Sequence, residues 1–183
     1  MCHYSLIKIK KMNRLVITFG IIAGLIVAAM LIITTTIYHA SGNIEGGAIY
    51  GYTSMLVAFS LIFVGIKKYR DQHGEGYISF GKGFKIGLLI TLIASTIYVI
   101  TWLIDYYYFM PDFMEKYTAQ ILEKMKTDGA LQADIDQQAK DMAKFSEMYK
   151  NPLFNALISY TEILPVGLIV TLISAAILKR KKL

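Results

Sequence analysis

The sequence predicts an all-α integral membrane protein: a bundle of four spanning helices, with an amphipathic helical hairpin outside the membrane between spans three and four. Hydrophobic residues make up 55% of the 183 residues, against ~45–50% in soluble domains. They form four blocks that are long enough, or nearly so, to cross a ~30 Å hydrocarbon core. The blocks are residues 15–38, 48–66, 86–108 and 153–178. A single membrane domain, residues 1–183, follows from this pattern.

The charges predict on which side of the membrane each segment lies. Four basic residues precede the first block, five lie within residues 67–85 and four lie within residues 179–182. The turn at 38–48 has no lysine or arginine, and segment 109–152 has eight acids and six lysines. Because cytoplasmic loops carry the excess of Lys and Arg, both termini and loop 67–85 are expected to be cytoplasmic. The net charge of +6 then reflects topology and attraction to anionic lipid, and no nucleic-acid partner is expected.

The first block carries small residues four apart on one helical face, Gly20, Gly24 and Ala28. Such a face lets two helix backbones approach closely in lipid, within the chain or between two copies. The alternative is the ordinary tolerance of glycine in membrane helices. A cleaved signal peptide is not favoured, because the apolar stretch exceeds the ~7–15 residues of a signal peptide's apolar core. Met12 is an equally sensible start residue.

The connections around the second block carry no recognisable ligand-binding motif. Residues 39–48 are rich in Gly, Ser and Asn and predict a tight turn. Loop 67–85 mixes cations with aromatic residues, which is typical of the headgroup layer. Its glycines at 74, 76, 81 and 83 match no nucleotide-binding spacing.

Segment 109–152 predicts the outer hairpin. Asp112 and Glu115 have the form of a helix N-cap with an acid three residues later. Apolar residues follow at helical spacing on both sides of Asp128-Gly129, which predicts two amphipathic helices. Their apolar faces are expected to pack on each other or on the membrane surface, with a partner protein as the alternative. Asn151 and Pro152 predict the cap and first residue of the last span.

Polar residues recur every three or four positions in each of the last two spans, which suggests one stripe on each helix. These residues are Ser95, Tyr98, Thr101 and Asp105 in the third span and Asn155, Ser159 and Glu162 in the fourth. Antiparallel packing would bring Glu162 to the depth of Tyr98. An ionised carboxylate facing lipid would cost roughly 3 kcal/mol or more. Glu162 is therefore expected to face its neighbour and to join spans three and four.

Pro165 gives Glu162 a second interpretation. Proline lacks an N–H and clashes with the carbonyl four residues earlier, that of Thr161, so a kink and a free carbonyl are expected near Glu162. A carboxyl group and a free carbonyl at mid-membrane are also parts of proton or cation sites in transporters. The sequence leaves three roles open: a structural or interaction component of the envelope, a small proton- or ion-coupled transporter, and contact with a partner in a complex.

The sequence contains no recognisable catalytic motif, and no enzyme activity, cofactor or metal site is expected. His3, His39 and His73 fall in three separate segments. Asp105 and Glu162 do not suit an aspartyl protease pair, because their predicted depths differ by about 9 Å. A single cysteine at position 2 allows no intrachain disulfide.

Three stretches, residues 51–87, 106–117 and 160–182, carry a family resemblance, and the Ile-Lys-x-Tyr-Arg-Asp spacing from Ile66 to Asp71 is its most specific part. They resemble the domain-of-unknown-function 4199 family of small membrane proteins from Bacteroidota, from Met12 onward. The resemblance implies four transmembrane helices, a bacterial inner-membrane location and no assigned function or catalytic residues. The partners expected are the lipid bilayer and, through the outer hairpin, a second copy or an envelope protein.

Overall fold

The computed structural model describes residues 2–41 and 47–180, and the side chains of residues 11–38, 40 and 49–180. Over these residues the chain folds into six α-helices and one π-helical turn, Asp105–Phe109, which continues the third helix. The α-helices are α1 (Cys2–Ser41), α2 (Gly47–His73), α3 (Phe80–Ile104), α4 (Phe113–Thr127), α5 (Gln132–Tyr149) and α6 (Pro152–Leu178). The described residues contain no strand, so the predicted all-α class is confirmed. Most of the turn predicted at 39–48, including Glu45, and the side chains of Cys2, His3 and His39 lie outside the described part.

Four helical segments are long and apolar enough to cross a membrane: Lys11–Tyr38, Ile49–His73, Phe80–Phe109 and Pro152–Leu178. They contain 25 to 30 residues, or about 37–45 Å at 1.5 Å per residue. Each is therefore long enough to cross a ~30 Å hydrocarbon core with residues to spare at its ends. The four predicted spans are thus present as helices.

The loop predicted at 67–85 is shorter than expected. Helix α2 continues to His73 and α3 begins at Phe80, where the hydroxyl of Ser79 accepts a hydrogen bond from the Lys82 N–H at 3.3 Å. Lysine and arginine residues can continue a helix at a membrane surface, because their long side chains place the charged ends in water. Helix α2 therefore extends beyond the end of its apolar block, and α3 begins before the start of its own.

The four spans pack as a bundle in which α1 contacts α2 and α3, and α6 contacts the same two helices from the other side. Fully buried Phe59 and Ile62 of α2 and Ile86 and Ile90 of α3 lie in its centre. Helices α2 and α3 also contact each other across the bundle. Therefore α1 and α6 occupy opposite corners.

The small-residue face of α1 packs against α3. A Cβ atom added to Gly20 would lie 2.8 Å from Cβ of Ile93, and one on Gly24 would lie 2.6 Å from Cδ1 of Ile97. Ala28 is also buried. In this structure the face serves packing within one chain, because α3 already occupies it.

Helices α3 and α6 approach through two reciprocal Gly–Thr contacts that sequence reasoning missed. A Cβ on Gly87 would lie 2.7 Å from Cγ2 of Thr171, and one on Gly167 would overlap Cγ2 of Thr91. The two threonine hydroxyls lie 3.2 Å apart and are buried. The signal was available, because both helices carry the spacing Gly-x-x-x-Thr, a small-residue pattern suited to close packing in membranes.

One end of the bundle collects the basic residues of the helix ends and of the α2–α3 loop. The backbone of Ile78 in that loop pairs with Arg180, with N–H···O distances of 3.2 and 2.9 Å. The ammonium of Lys68 lies 5.8 Å from the ring centre of Phe19 on α1. We call this the basic end; its described side chains are Lys11, Arg14, Lys67, Lys68, Arg70, Lys82, Lys85, Lys179 and Arg180.

Helices α4 and α5 lie at the opposite end and contact each other. Gly129, with φ of +77°, turns the chain between them. Asp112 occupies the predicted N-cap position of α4, but its side chain makes no capping bond and pairs with Lys116 at 2.6 Å. The Asn151 cap is confirmed, because its side-chain oxygen accepts from the N–H groups of Leu153 and Phe154 at 2.9 and 3.3 Å.

Candidate functional site

A cavity of about 540 Å³ opens in the half of the bundle nearer to α4 and α5. Its walls come from α1, α2, α3 and α6, and Phe113 and Tyr117 of α4 border it. Small-molecule sites in proteins usually enclose ~300–1,000 Å³. The cavity is therefore large enough for an organic ligand.

The cavity lining is apolar and aromatic, apart from one acid. Glu162 is the one charged side chain among the described lining residues. Aliphatic walls come from residues such as Leu31 and Ile33 of α1 and Met55 of α2. Seven aromatic side chains contribute: Tyr38, Tyr50, Tyr52, Tyr98, Trp102, Phe113 and Tyr117.

Glu162 and Tyr98 lie at similar depths in this cavity. Glu162 is about 15 Å along α6 from Pro152, and Tyr98 is about 16 Å along the third span from Phe109. Tyr98 is 9% exposed, whereas Glu162 is exposed. No hydrogen-bond or ion-pair partner for the Glu162 carboxylate occurs among the residues that the structure describes. Glu162 therefore faces a cavity that it shares with Tyr98 of the third span, and its role as a joint between spans three and four stays a prediction.

The predicted polar stripe of the third span divides between two cavities beside α3. Thr101 and Asp105 line a separate groove of about 380 Å³ between α1 and α3. At 3.6 residues per turn, Thr101 is rotated by about 120° from Ser95, whereas Trp102 is rotated by only about 20°. Residues three apart do not stay on one line along a helix of 3.6 residues per turn. Trp102, rather than Thr101, therefore lies on the face of α3 toward α6.

In that second groove, Asp105 begins the π-helical turn. Its Oδ2 atom is buried and has no hydrogen-bond partner among the described residues. The hydroxyl of Thr101 donates to the carbonyl of Ile97 within its own helix at 2.8 Å. Neither residue lines the Glu162 cavity, although Thr35 of α1 borders both cavities.

Trp102 joins three helices through hydrogen bonds. Its Nε1–H lies 3.0 Å from both the Tyr149 hydroxyl of α5 and the Asn155 Oδ1 of α6. Ser159 donates to the Asn155 carbonyl at 2.9 Å, and both residues are almost fully buried. Burial raises the pKa of Tyr149 to about 12. Trp102 and Asn155 therefore form one of the polar contacts between α3 and α6, and the single tryptophan of the chain was the signal that sequence reasoning missed.

The remaining residues of the predicted polar seam, Ser95 and Pro165, do not line the Glu162 cavity. Ser95 is fully buried, and its hydroxyl has no hydrogen-bond partner in the described part of the chain. Pro165 is exposed, and α6 continues as one helix from Pro152 to Leu178 through it. Among the described residues, no three His, Cys, Asp or Glu side chains come together as a candidate metal site.

A family model described as Protein of unknown function (DUF4199) matches residues 18–180. The chain belongs to this family. The match covers nearly the whole DUF4199 chain, includes every residue of the cavity, and confirms the resemblance found in the sequence. No curated protein and no solved structure matches the chain.

Chemically, the cavity of this DUF4199 protein combines one carboxylate with aromatic and aliphatic walls. A carboxylate in apolar surroundings gains from taking up a proton or pairing with a cation, because either offsets the lost hydration of the charge. The arrangement is therefore suited to reversible binding of positive charge.

Proposed function

We propose that this protein is a non-catalytic protein of the bacterial inner membrane that binds a cation, protons included, at Glu162. As a small proton- or ion-coupled transporter, it takes up that cation from the side of the membrane on which α4 and α5 lie and releases it on the other. The observation that carries the proposal is the Glu162 carboxylate, which faces a cavity of about 540 Å³ with no hydrogen-bond or ion-pair partner among the described residues.

The contacts between α3 and α6 favour this role over a structural joint at Glu162. Trp102 already bonds to Asn155 at 3.0 Å, and Thr91 lies 3.2 Å from Thr171. Since these buried pairs join the two helices, Glu162 is free for another purpose. An intramembrane acid without a structural task is costly, which supports the small proton- or ion-coupled transporter among the roles that the sequence leaves open.

Access to the site supports exchange at the α4–α5 end. Tyr50 and Tyr52 at the α2 edge of the cavity are 61% and 50% exposed. Phe113 and Tyr117 of α4 border the same cavity. A cation entering beside α4 would reach Glu162 after about 15 Å.

Labelling with dicyclohexylcarbodiimide tests the site. This apolar reagent attacks protonated carboxyl groups within membranes. In proteoliposomes we expect mass spectrometry to find the adduct on Glu162, with less labelling as pH rises and the carboxyl loses its proton. Glu162→Gln removes the reactive group, and Asp105 serves as an internal comparison because it lies in a different groove.

Proton uptake tests exchange at the same residue. After an external acid pulse, liposomes with the wild-type protein should acidify inside faster than liposomes with Glu162→Gln, as reported by an enclosed pH-sensitive dye. Circular dichroism and thermal melting should show that both proteins are folded alike. Equal acidification rates, or a wild-type Glu162 that stays unlabelled, would contradict the proposal.

A further inference from the structure

We infer that the cation of this site is organic, with an apolar body that fills the cavity and a positive group that pairs with Glu162. The inference rests on the proposed function and names the class of its ligand. It is carried by the composition of the cavity wall.

The charge of the cavity selects for cations. Glu162 is acidic, and none of the described lining residues is a lysine or an arginine. The faces of aromatic rings also attract cations, most strongly when water is excluded. Tyr52, Tyr98, Trp102 and Phe113 supply such rings around the acid. An anion would meet no favourable charge here.

The cavity offers little negative charge to a divalent metal cation. Calcium sites usually combine several carboxylate and carbonyl oxygens. The other side-chain oxygens of the described lining are neutral hydroxyls of threonine and tyrosine. Glu162 supplies the one carboxylate, and no three His, Cys, Asp or Glu side chains of the described residues come together there as a candidate metal site.

An organic cation requires apolar contact for its body and one negative charge, and the cavity supplies both. Its apolar body gains about 25 cal/mol for each Å² of apolar surface removed from water, and leucine, isoleucine and methionine side chains provide that contact. One carboxylate is enough to pair with one ammonium or phosphonium group. The cavity volume of about 540 Å³ accommodates such a body.

Fluorescence of Trp102 tests the inference directly. Trp102 is the one tryptophan of the sequence and lines the cavity. We expect tetraphenylphosphonium to change its emission saturably in purified protein reconstituted in nanodiscs. Tetraphenylborate has the same shape and the opposite charge, so it should give no saturable change.

Two glutamine variants separate charge pairing from apolar partition. Glu162→Gln should weaken tetraphenylphosphonium binding by about tenfold or more, since an ion pair in an apolar site is lost. Glu147→Gln is the matched control, because Glu147 is exposed on α5 and pairs with Lys150. It should bind like the wild type.

The outcomes distinguish this inference from the proposed function. Equal tetraphenylphosphonium affinity in the wild type and Glu162→Gln, or equal binding of the phosphonium and the borate, overturns the inference. Carbodiimide labelling of Glu162 without phosphonium binding also overturns it and leaves a proton or cation site standing. Loss of both labelling and binding overturns both proposals.

Discussion

At the residue scale, the buried hydroxyl pair of Thr91 and Thr171 stabilises the contact between α3 and α6. Replacing Thr91 with valine keeps the side-chain shape but leaves the Thr171 hydroxyl without its partner 3.2 Å away. Interhelical hydrogen bonds in membranes contribute about 0.6 kcal/mol on average and up to about 1.7 kcal/mol. We expect Thr91→Val to lower the free energy of unfolding by an amount in that range, measured by denaturation followed with Trp102 fluorescence.

The controls for this residue-scale prediction use the same chemical change. Thr18→Val removes an exposed hydroxyl that bonds only to the Arg14 carbonyl of its own helix, so its effect should stay within about 0.5 kcal/mol. The double variant Thr91→Val, Thr171→Val leaves neither hydroxyl unpaired and should cost less than the sum of its single changes. If the double variant loses as much unfolding free energy as the two single variants together, the two hydroxyls do not interact.

At the scale of helices, α3 and α6 depend on glycine where their backbones approach most closely. Gly167→Ala would push a methyl group into Thr91 and to 3.0 Å from Cζ of Phe59. Overpacking of this kind costs about 1–3 kcal/mol, so the thermal midpoint should fall. Gly51→Ala in α2 is the matched control, because no atom lies within 4 Å of its added methyl group.

A second substitution tests whether the Gly167 effect arises at this contact. Thr91→Ala removes the side-chain atoms that the new methyl group would meet. The pair Gly167→Ala, Thr91→Ala should therefore melt at a higher temperature than Gly167→Ala alone. If the double variant is less stable still, the clash with Thr91 is not the cause.

The helices also show how far sequence reasoning reaches. Apolar length predicted the four spans, and local chemistry predicted the Asn151 cap, because both depend on neighbouring residues. The prediction of one polar stripe on α3 was wrong at Thr101, because its spacing from Ser95 does not match the helical period. Trp102 lies on the face where Thr101 was expected. The environment of Glu162 depends on the cavity that α1, α2, α3, α4 and α6 enclose together. No pattern within one helix contains that information.

At the scale of the whole molecule, the two ends differ in charge. The basic end carries nine described cations and only two nearby acids, Asp71 and Glu75. The other end carries α4 and α5, where acids and lysines mix. The first span begins and the last span ends at the basic end. Lys68 of α2 lies over Phe19 of α1, and Ile78 of the α2–α3 loop pairs with Arg180 just after α6. An even number of spans requires this arrangement of the termini.

The charge difference predicts the orientation of the protein in the membrane. Loops rich in Lys and Arg stay in the cytoplasm, so Lys85 at the basic end should be inside and Lys126 of α4 outside. Both side chains are exposed. Replacing Cys2 with serine removes the single cysteine, and Lys85→Cys or Lys126→Cys then adds one reporter thiol. A membrane-impermeant maleimide applied to intact spheroplasts should label the α4 thiol, and the α3 thiol only after lysis. Labelling in the reverse order would place the Glu162 cavity in the cytoplasmic half, so that a cation would enter from inside the cell.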